Sequence, residues 1–335
     1  SIRKIGTGKL SLKGINTYSG NTEITDGVLE IQTGVLGGGN YSGAISNAGQ
    51  LSIITPTQQT LAGIISGIGA LSSGGDVIIT NDNTYTGTTA ILAAGKLTVS
   101  RQTDGQLTTS SFSNAGTLIF TGNKNIIVAS SVSGSGNIDK SGTSIVTFNA
   151  ANTNTGITNI ISGVLQFEKI LSLYNGQSAS WTKDKIIINS GTVFSINVGG
   201  TGEFSSSEIV NILLLSSSIS NNGFKAGSFI GFNTTNSSGG TFTLSNIIAD
   251  STGTGSGSIG IAKFGSNILV ISATNTFTGQ VLIYSGAVSI SNFNFDNVPG
   301  PFGSGSFPIR AGISSISKIL YTGTTTTTDK KILSD

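Results

Sequence analysis

A short pattern of Asn, Thr, a variable residue, Ser or Thr, and Gly occurs four times in this chain of 335 residues. The four copies are Asn16–Gly20, Asn83–Gly87, Asn152–Gly156 and Asn275–Gly279. Their spacings are 67, 69 and 123 residues, and the last is close to two slightly short units. Repeated units of this kind bury their apolar faces only against their neighbours, so the repeat predicts a solenoid.

Apolar residues flank each copy in the same register. A pair of them lies six and four residues before each Asn, and a Gly with an alternating apolar pair follows each copy. The pairs before the Asn are Leu10 and Leu12, Val77 and Ile79, Val146 and Phe148, and Leu269 and Ile271. Alternation at period two predicts short, half-buried strands. The best helical candidate, residues 208–215, reads equally well as a buried strand.

Short strands leave a sandwich, an antiparallel barrel or a β-solenoid, and only the solenoid needs the repeat. We predict an all-β fold, a parallel β-helix, with three coils of about 22 residues in each unit. About 15 coils stacked at ~4.8 Å would form a rod about 70 Å long. We expect one domain over residues 1–335. Its repeat cores lie near 4–32, 71–99, 140–167 and 263–290, with a partial unit at 302–335.

The repeated Asn and Gly have structural explanations. An Asn at a corner can hydrogen-bond its amide to the coils above and below, and it tolerates the left-handed backbone of sharp turns. The Gly that ends each copy is expected where a Cβ is unfavourable.

Composition excludes several kinds of chemistry. The chain has no Cys and no His, so it contains no Ser-His-Asp or Cys-His system, no Cys/His zinc site and no disulfide. Charged residues are only 10% and the basic ones are scattered, which argues against nucleic acid as a partner. The chain begins with Ser1, and we expect it to be a fragment or a processed piece of a longer protein.

Carboxylates are too thinly spread to indicate a catalytic pair. The closest groups are Glu23, Asp26 and Glu30, and then Asp76 with Asp82, and we expect them to be solvated surface charges. Asp184 is balanced by a Lys on either side. We predict no catalytic, cofactor-binding or metal-binding residues, no cofactor and no enzymatic activity. A carbohydrate-active β-helix enzyme, a polysaccharide lyase or hydrolase, remains the alternative, because coils distant in sequence can bring carboxylates together.

Four segments lie outside the repeat pattern. Residues 171–185 break the repeat and hold the single Trp, Trp181, with packing favoured over binding. Phe293, Phe295, Phe302 and Phe307 surround a Pro-rich turn and are expected to cover the core. Consecutive threonines at 324–328 do not form the coil-by-coil array of an ice-binding face, and the Gly-rich residues 199–202 lack the rest of a phosphate loop.

The string from Gly6 through Asn16–Gly20 to Leu29 resembles the passenger-associated transport repeat, also called the autotransporter-associated β-strand repeat. Three copies carry a Lys and, two residues later, a Gly ahead of it, at Lys4, Lys140 and Lys263, whereas the second copy has Leu71 and Ser73 there. Residues 229–250 are similar to the spacer between such repeats. The resemblance implies a right-handed parallel β-helix in a passenger of bacterial type V secretion, exported through a C-terminal outer-membrane β-barrel.

These observations predict a structural and adhesive segment at the bacterial cell surface or outside the cell. Its partners would be a host or neighbouring cell surface, with weak end-to-end self-association through exposed strand edges. We expect membrane contact only through the β-barrel that these residues do not include. The resemblance also implies that the repeats assist secretion and folding.

Overall fold

The computed structural model describes residues 1–216, 222–253 and 255–334. The chain divides into two compact units, Ser1–Thr158 and Asn159–Asp335. Short parallel strands make up nearly all the regular structure of each unit, stacked as a β-solenoid, which confirms the predicted fold class. Asp335, the last residue of the predicted partial unit, lies outside the described residues. The single domain and the right-handed winding stay predictions.

The first unit is built from strands of two to four residues. Its strands are β1 (Ile2–Lys4), β2 (Lys9–Leu12), β3 (Ile15–Asn16), β4 (Thr22–Ile24), β5 (Val28–Ile31), β6 (Val35–Leu36), β7 (Asn40–Tyr41), β8 (Ile45–Asn47), β9 (Gln50–Ile53), β10 (Gln59–Leu61), β11 (Ile65–Ser66), β12 (Ala70–Ser73), β13 (Asp76–Ile79), β14 (Thr89–Ile91), β15 (Lys96–Val99), β16 (Gly105–Gln106), β17 (Ser111–Asn114), β18 (Thr117–Phe120), β19 (Ile126–Val128), β20 (Ser131–Gly134), β21 (Asn137–Lys140), β22 (Ile145–Phe148) and β23 (Thr153–Asn154). A further strand, β24 (Thr158–Ile160), contains the boundary between the units, and a 3-10 turn lies at Gly37–Gly39.

These strands stack into long parallel sheets, one on each side of the coil. Sheet 1 has the order β2-β5-β9-β12-β14-β17-β20-β23. Sheet 2 contains β7-β10-β13-β15-β18-β21, sheet 3 is β1-β4-β8-β11, and sheet 4 contains β16-β19-β22. Inward-pointing side chains such as Leu29, Leu51 and Leu97 are fully buried, so the core runs along the inside of the coils.

The coils are shorter than predicted. Successive partners in sheet 2 are 20, 18, 20, 21 and 20 residues apart. A 67-residue period therefore spans about three and one third coils, and the prediction of three whole coils of about 22 residues is wrong. The strands of the first unit have only two to four residues, so each turn needs fewer residues than predicted.

Because of the extra third of a coil, successive repeats fall on different sheets. Leu10 of the first copy lies in sheet 1, where it pairs with Leu29. Val77 of the second copy lies in sheet 2, and Val146 of the third lies in sheet 4. Equivalent residues of successive copies therefore do not stack on one another.

The second unit has longer and less regular coils. Its strands are β25 (Val164–Phe167), β26 (Ile186–Ile188), β27 (Val193–Asn197), β28 (Gly223–Phe224), β29 (Phe229–Asn233), β30 (Thr241–Leu244), β31 (Gly260–Phe264), β32 (Ile268–Ile271), β33 (Val281–Ile283), β34 (Gly286–Ile290), β35 (Ile309–Ala311), β36 (Ser317–Tyr321) and β37 (Ile332–Ser334). Sheet 5 contains β25-β27-β29-β31-β33-β35-β37, sheet 6 is β30-β32-β34-β36, and β26 pairs with β28.

One coil of this unit contains helix α1, Ser206–Leu213, so the helical reading of residues 208–215 is the correct one. Ser205 caps the helix: its hydroxyl accepts from the backbone N–H of Ser207 at 3.3 Å, and Glu208 accepts from the backbone N–H of Ser205 at 2.9 Å. This Ser-x-x-Glu capping box is visible in the sequence and favours a helix start. The 3-10 turns of the unit are Ile170–Ser172, Tyr174–Gly176, Ser178–Ser180, Leu214–Ser216 and Ser238–Gly240.

Candidate functional site

Each repeat core spans one coil, so its first and last strands lie side by side. The apolar pair ahead of the Asn lies directly beside the apolar pair after the Gly, one coil further on. In the first copy Leu10 pairs with Leu29 and Leu12 with Ile31. The second copy pairs Val77 with Leu97 and Ile79 with Val99, and the fourth pairs Leu269 with Val288. The repeat core therefore spans one turn of the solenoid and brings its two apolar pairs together.

In the last three copies the motif Asn is hydrogen-bonded to the preceding coil, whereas Asn16 donates to the carbonyl of Val35 in the following coil at 3.3 Å. The side-chain carbonyl of Asn83 accepts from the backbone N–H of Ile65 at 2.8 Å, and Asn275 accepts from Ile248 at the same distance. The predicted amide hydrogen bond between coils is thus confirmed. The prediction of a left-handed backbone at the motif Asn is wrong, because the described non-Gly residues with positive φ are Tyr174, Asn175 and Asn297. The Asn is therefore explained by the hydrogen bond of its side chain to a neighbouring coil, not by its ability to adopt a positive φ.

The Gly that ends the motif is confirmed as a position where a Cβ is unfavourable. An ideal Cβ on Gly87 would lie 2.1 Å from the carbonyl oxygen of Gly69. On Gly279 it would lie 2.2 Å from the carbonyl oxygen of Ile259. Neither glycine has a positive φ. The constraint is therefore the close approach of two coils.

Hydroxyl groups form short chains through the interior. Tyr85 and Thr89 are hydrogen-bonded at 2.8 Å, and Thr89 and Thr109 at 2.9 Å. In the first copy, Thr22 lies between Tyr18 at 2.9 Å and Tyr41 at 2.7 Å. Burial raises the pKa of Tyr85 to about 12. In the two copies that have a Tyr at the third position of the motif, its hydroxyl is therefore hydrogen-bonded within the coils.

Three buried lysines are the most unusual feature of the repeats. The exposed fraction is 6% for Lys4 and 0% for Lys140 and Lys263. Each ammonium donates to the carbonyls of the next two residues. A third carbonyl, 22 residues further on, completes the cage around Lys4 and Lys263. The bonds are Lys4 to Ile5 3.1 Å, Gly6 2.6 Å and Asp26 3.1 Å; Lys140 to Ser141 2.7 Å and Gly142 2.9 Å; Lys263 to Phe264 2.7 Å, Gly265 2.8 Å and Ser285 3.2 Å.

In the second copy a buried serine binds the carbonyls instead of a lysine. Ser73 is fully buried, and its hydroxyl donates to the carbonyl of Lys96 at 2.8 Å and to that of Gly75 at 3.3 Å. Leu71 stands at the position of the Lys, so in this copy a serine two residues further along the chain supplies the carbonyl-binding donor. The sequence held a signal for this burial, because Lys4, Lys140 and Lys263 each lie two residues after an inward-facing Ile.

The buried lysines predict a rise in stability at alkaline pH. Burial lowers the pKa of Lys140 and of Lys263 from 10.5 to about 8. Between these values the unfolded chain binds more protons than the folded chain, so the free energy of unfolding increases as the pH rises from 8. Above about pH 10 the trend reverses, because folded Tyr85 keeps a proton that unfolded Tyr85 loses.

The measurement is a series of urea unfolding curves between pH 8 and 10, followed by far-UV circular dichroism. The midpoint is expected to rise with pH in the unaltered chain and to rise less in Lys263→Met. A midpoint that falls steadily over this range would contradict the assignment.

The acidic residues of the first group do not converge. Glu23 lies on β4 in sheet 3 and forms an ion pair with Arg3 at 3.1 Å. Glu30 lies on β5 in sheet 1, where Lys9 and Ser11 each donate to it at 3.0 Å. The hydrogen bond from Lys9 holds the pKa of Glu30 below its ordinary value. Glu30 is buried, which corrects the expectation that it is a solvated surface charge.

The second acidic group is also separated by its contacts. Asp76 accepts from Gln58 at 3.0 Å. Asp82 accepts from the hydroxyl of Thr103 at 2.6 Å and lies 3.4 Å from Arg101. Burial alone would raise the pKa of Asp82, but hydrogen bonds from Thr103 and its backbone and the charge of Arg101 hold it below its ordinary value. The contacts of Asp82 hold its loop against the loop that contains Arg101 and Thr103 in the next coil.

Trp181 is a packing residue, as the favoured reading predicts. It is 3% exposed, donates from Nε1 to the carbonyl of Leu173 at 3.0 Å, and lies 5.8 Å from the ring of Phe204. Tyr174 is buried as well, and its hydroxyl donates to the carbonyl of Lys185 at 3.0 Å. The irregular segment therefore fills the interior of its coil.

The phenylalanines near the Pro-rich turn divide into two kinds. Phe302 is buried, and Phe293 lies 5.8 Å from its ring and 5.7 Å from the ring of Tyr321. Phe295 and Phe307 are 48% and 57% exposed, so they do not cover the core as expected.

Two further segments carry no ligand geometry. Residues 324–328 lie outside the strands and form no array. In the Gly-rich loop, the backbone N–H of Gly200 donates to buried Glu203 at 3.0 Å, and Asn236 donates to the same carboxylate at 2.8 Å. This loop is closed by its own side chains.

Within residues 1–216, 222–253 and 255–334 no three of the Asp and Glu residues group to hold a metal ion. Asp26 and Asp184 are exposed. In the same part of the chain, none of the helical segments has the length and apolarity needed to cross a membrane.

The family model described as passenger-associated-transport-repeat matches four segments, residues 2–31, 72–99, 138–167 and 261–290. They overlap the four copies found in the sequence, and the resemblance is confirmed. No curated protein and no solved structure matches the chain. The chain therefore contains four segments that are similar to this repeat.

Proposed function

We propose, from the premise that this chain carries four passenger-associated transport repeats, that it is a structural and adhesive segment displayed on the bacterial cell surface by type V secretion. The observation that carries the proposal is that each repeat core closes one coil of a solenoid. A solenoid offers side chains at regular intervals, which suits multivalent contact with another cell.

The repeats are also proposed to assist secretion and folding. Each core holds its coil by contacts between residues about 20 positions apart, such as Leu10 with Leu29 and Val77 with Leu97. A coil of this kind needs few distant contacts to form, so one coil can serve as the surface on which the next one pairs. Such stepwise folding suits a chain that emerges from a pore.

The proposed mechanism is contact without catalysis. Support comes from four of the carboxylates singled out in the sequence, which are engaged in bonds within or between coils: Glu23, Glu30, Asp76 and Asp82. Glu30 is held by Lys9, and Asp82 by Arg101 and Thr103. A carbohydrate-active enzyme would need an acid and a base flanking one bond.

Adhesion is tested with beads coated with the 335-residue chain and presented to cultured epithelial cells and to bacterial cells. We expect saturable attachment that soluble chain competes away. Beads coated with the urea-unfolded chain serve as the control. Attachment equal to that control on both kinds of cell would contradict the adhesive role.

The catalytic alternative is tested on acidic and neutral polysaccharides by release of reducing ends. We expect none above a protein-free control. Turnover that Glu30→Gln or Asp82→Asn abolishes would overturn the non-catalytic proposal.

A further inference from the structure

A cleft of about 150 Å³ lies along one corner of the second unit. It is lined by residues from neighbouring coil edges. The lining residues are Gly227, Ser228, Phe229, Ser258, Gly260, Gly279, Gln280 and Phe307. None of these eight residues carries a charge, so the cleft suits a neutral ligand.

Three backbone N–H groups of this corner are already bonded to neighbouring coils. The N–H of Gly227 donates to the carbonyl of Ser258 at 2.7 Å, and the N–H of Gly260 donates to that of Ser228 at 2.8 Å. Gly279 likewise donates to the carbonyl of Ile259 at 3.0 Å. A peptide that binds by adding a strand needs free backbone groups. The cleft therefore favours a ligand that is bound by side chains.

Two rings bracket the cleft. The ring of Phe229 lies against the backbone of Gly260, because an ideal Cβ there would be 2.4 Å from its Cδ1 atom. Phe307 is 57% exposed, and no ring pair found in the described part of the chain includes it. The segment of Phe307 is held in place by Gln280, whose Nε2 donates to the carbonyl of Pro308 at 3.1 Å. An exposed ring on a fixed segment is a ready stacking platform.

Polar groups lie beside these rings. The hydroxyl of Ser258 and the side-chain carbonyl of Gln280 have no hydrogen-bond partner among the described residues. An aromatic face next to neutral donors and acceptors matches the C–H face and hydroxyls of a sugar ring. We propose that this corner binds a neutral glycan, one sugar ring stacking on Phe307 while its hydroxyls bond Ser258 and Gln280. The inference rests on the proposed adhesive function, to which it adds a ligand class.

The test uses saturation-transfer NMR on the 335-residue chain with the methyl glycosides of galactose, glucose, mannose and N-acetylglucosamine. At least one is expected to bind with a dissociation constant on the order of 1 mM, with transfer to its ring C–H protons. Phe307→Ala is expected to weaken binding by about 10-fold or more. Phe295→Ala, which removes a ring of similar exposure elsewhere in the unit, is the matched control and should bind as the unaltered chain does.

Binding unaffected by Phe307→Ala, or no binding of any glycoside, would overturn the inference. Preference for a sialylated or a sulfated sugar, or displacement of the glycoside by a proline-rich peptide, would overturn it in favour of a charged or peptide ligand. The bead assay separates this from the broader proposal. If beads attach equally with and without Phe307, adhesion stands and the glycan site fails. If a glycoside binds through Phe307 and beads do not attach, the adhesive function fails.

Discussion

Replacing Gly87 by alanine is expected to destabilise the first unit severely, by about 3 kcal/mol or more. The added Cβ would lie 2.1 Å from the carbonyl oxygen of Gly69 and 2.7 Å from that of Ile68. Both oxygens belong to backbone of the neighbouring coil, which cannot rotate away as a flexible side chain can. The coils must separate, and the buried hydrogen bond that the backbone N–H of Ile65 donates to Asn83 weakens as a result.

The measurement is the urea midpoint from far-UV circular dichroism, with Gly14→Ala as the matched control. An ideal Cβ on Gly14 meets nothing within 4 Å, and its φ is not positive. The control is therefore expected to change stability little. Equal midpoints for the two variants would show that coil-to-coil contact does not restrict position 87.

Replacing Lys263 by methionine is expected to cost about 3 kcal/mol, in the range found when one partner of a buried polar network is removed. Methionine keeps the apolar stem and fills most of the volume. It leaves the carbonyls of Phe264, Gly265 and Ser285 without the ammonium that binds them. The loss is expected even though methionine removes the cost of burying a charge. The carbonyls of Phe264 and Gly265 keep only the bonds from Thr234 and Ser285, and the carbonyl of Ser285 loses the donor that the ammonium supplies.

The fluorescence of Trp181, the single Trp and a residue of the same unit, reports this unfolding. Lys318→Met removes an exposed lysine of that unit and should leave the midpoint unchanged. Lys263→Arg is a further variant, expected to lose part of the stability because the larger guanidinium does not fit the carbonyl cage. If Lys263→Met were as stable as Lys318→Met, the cage would contribute nothing to the fold.

Features that depend on local pattern were readable from the sequence. Alternating pairs such as Val77 and Ile79 indicated strands, and the motif Asn indicated a bond between coils. The Gly of the motif pointed to a place without room for a Cβ. In each case the requirement recurs at the same position of every copy, so the repeat itself exposes it.

Features that depend on the number of residues in each coil could not be predicted from the sequence. A coil of about 20 residues rather than 22 moves each repeat of the first unit from one sheet to the next. The same limit hid the role of Lys263, because its third carbonyl comes from Ser285, one coil away. Residues 208–215 were ambiguous because their apolar spacing suits both a strand and a helix.

The sequence by itself determined that this chain is a repeated stack of parallel strands, because periodicity and the spacing of Asn and Gly are properties of the chain. Only the tertiary structure decided which atoms meet across neighbouring coils. It buried the lysines of three repeats and left Phe307 beside an uncharged cleft. Burial and carbonyl contacts depend on which residue of the next coil lies opposite a given residue. That residue depends on the length of the coil, which the sequence does not specify.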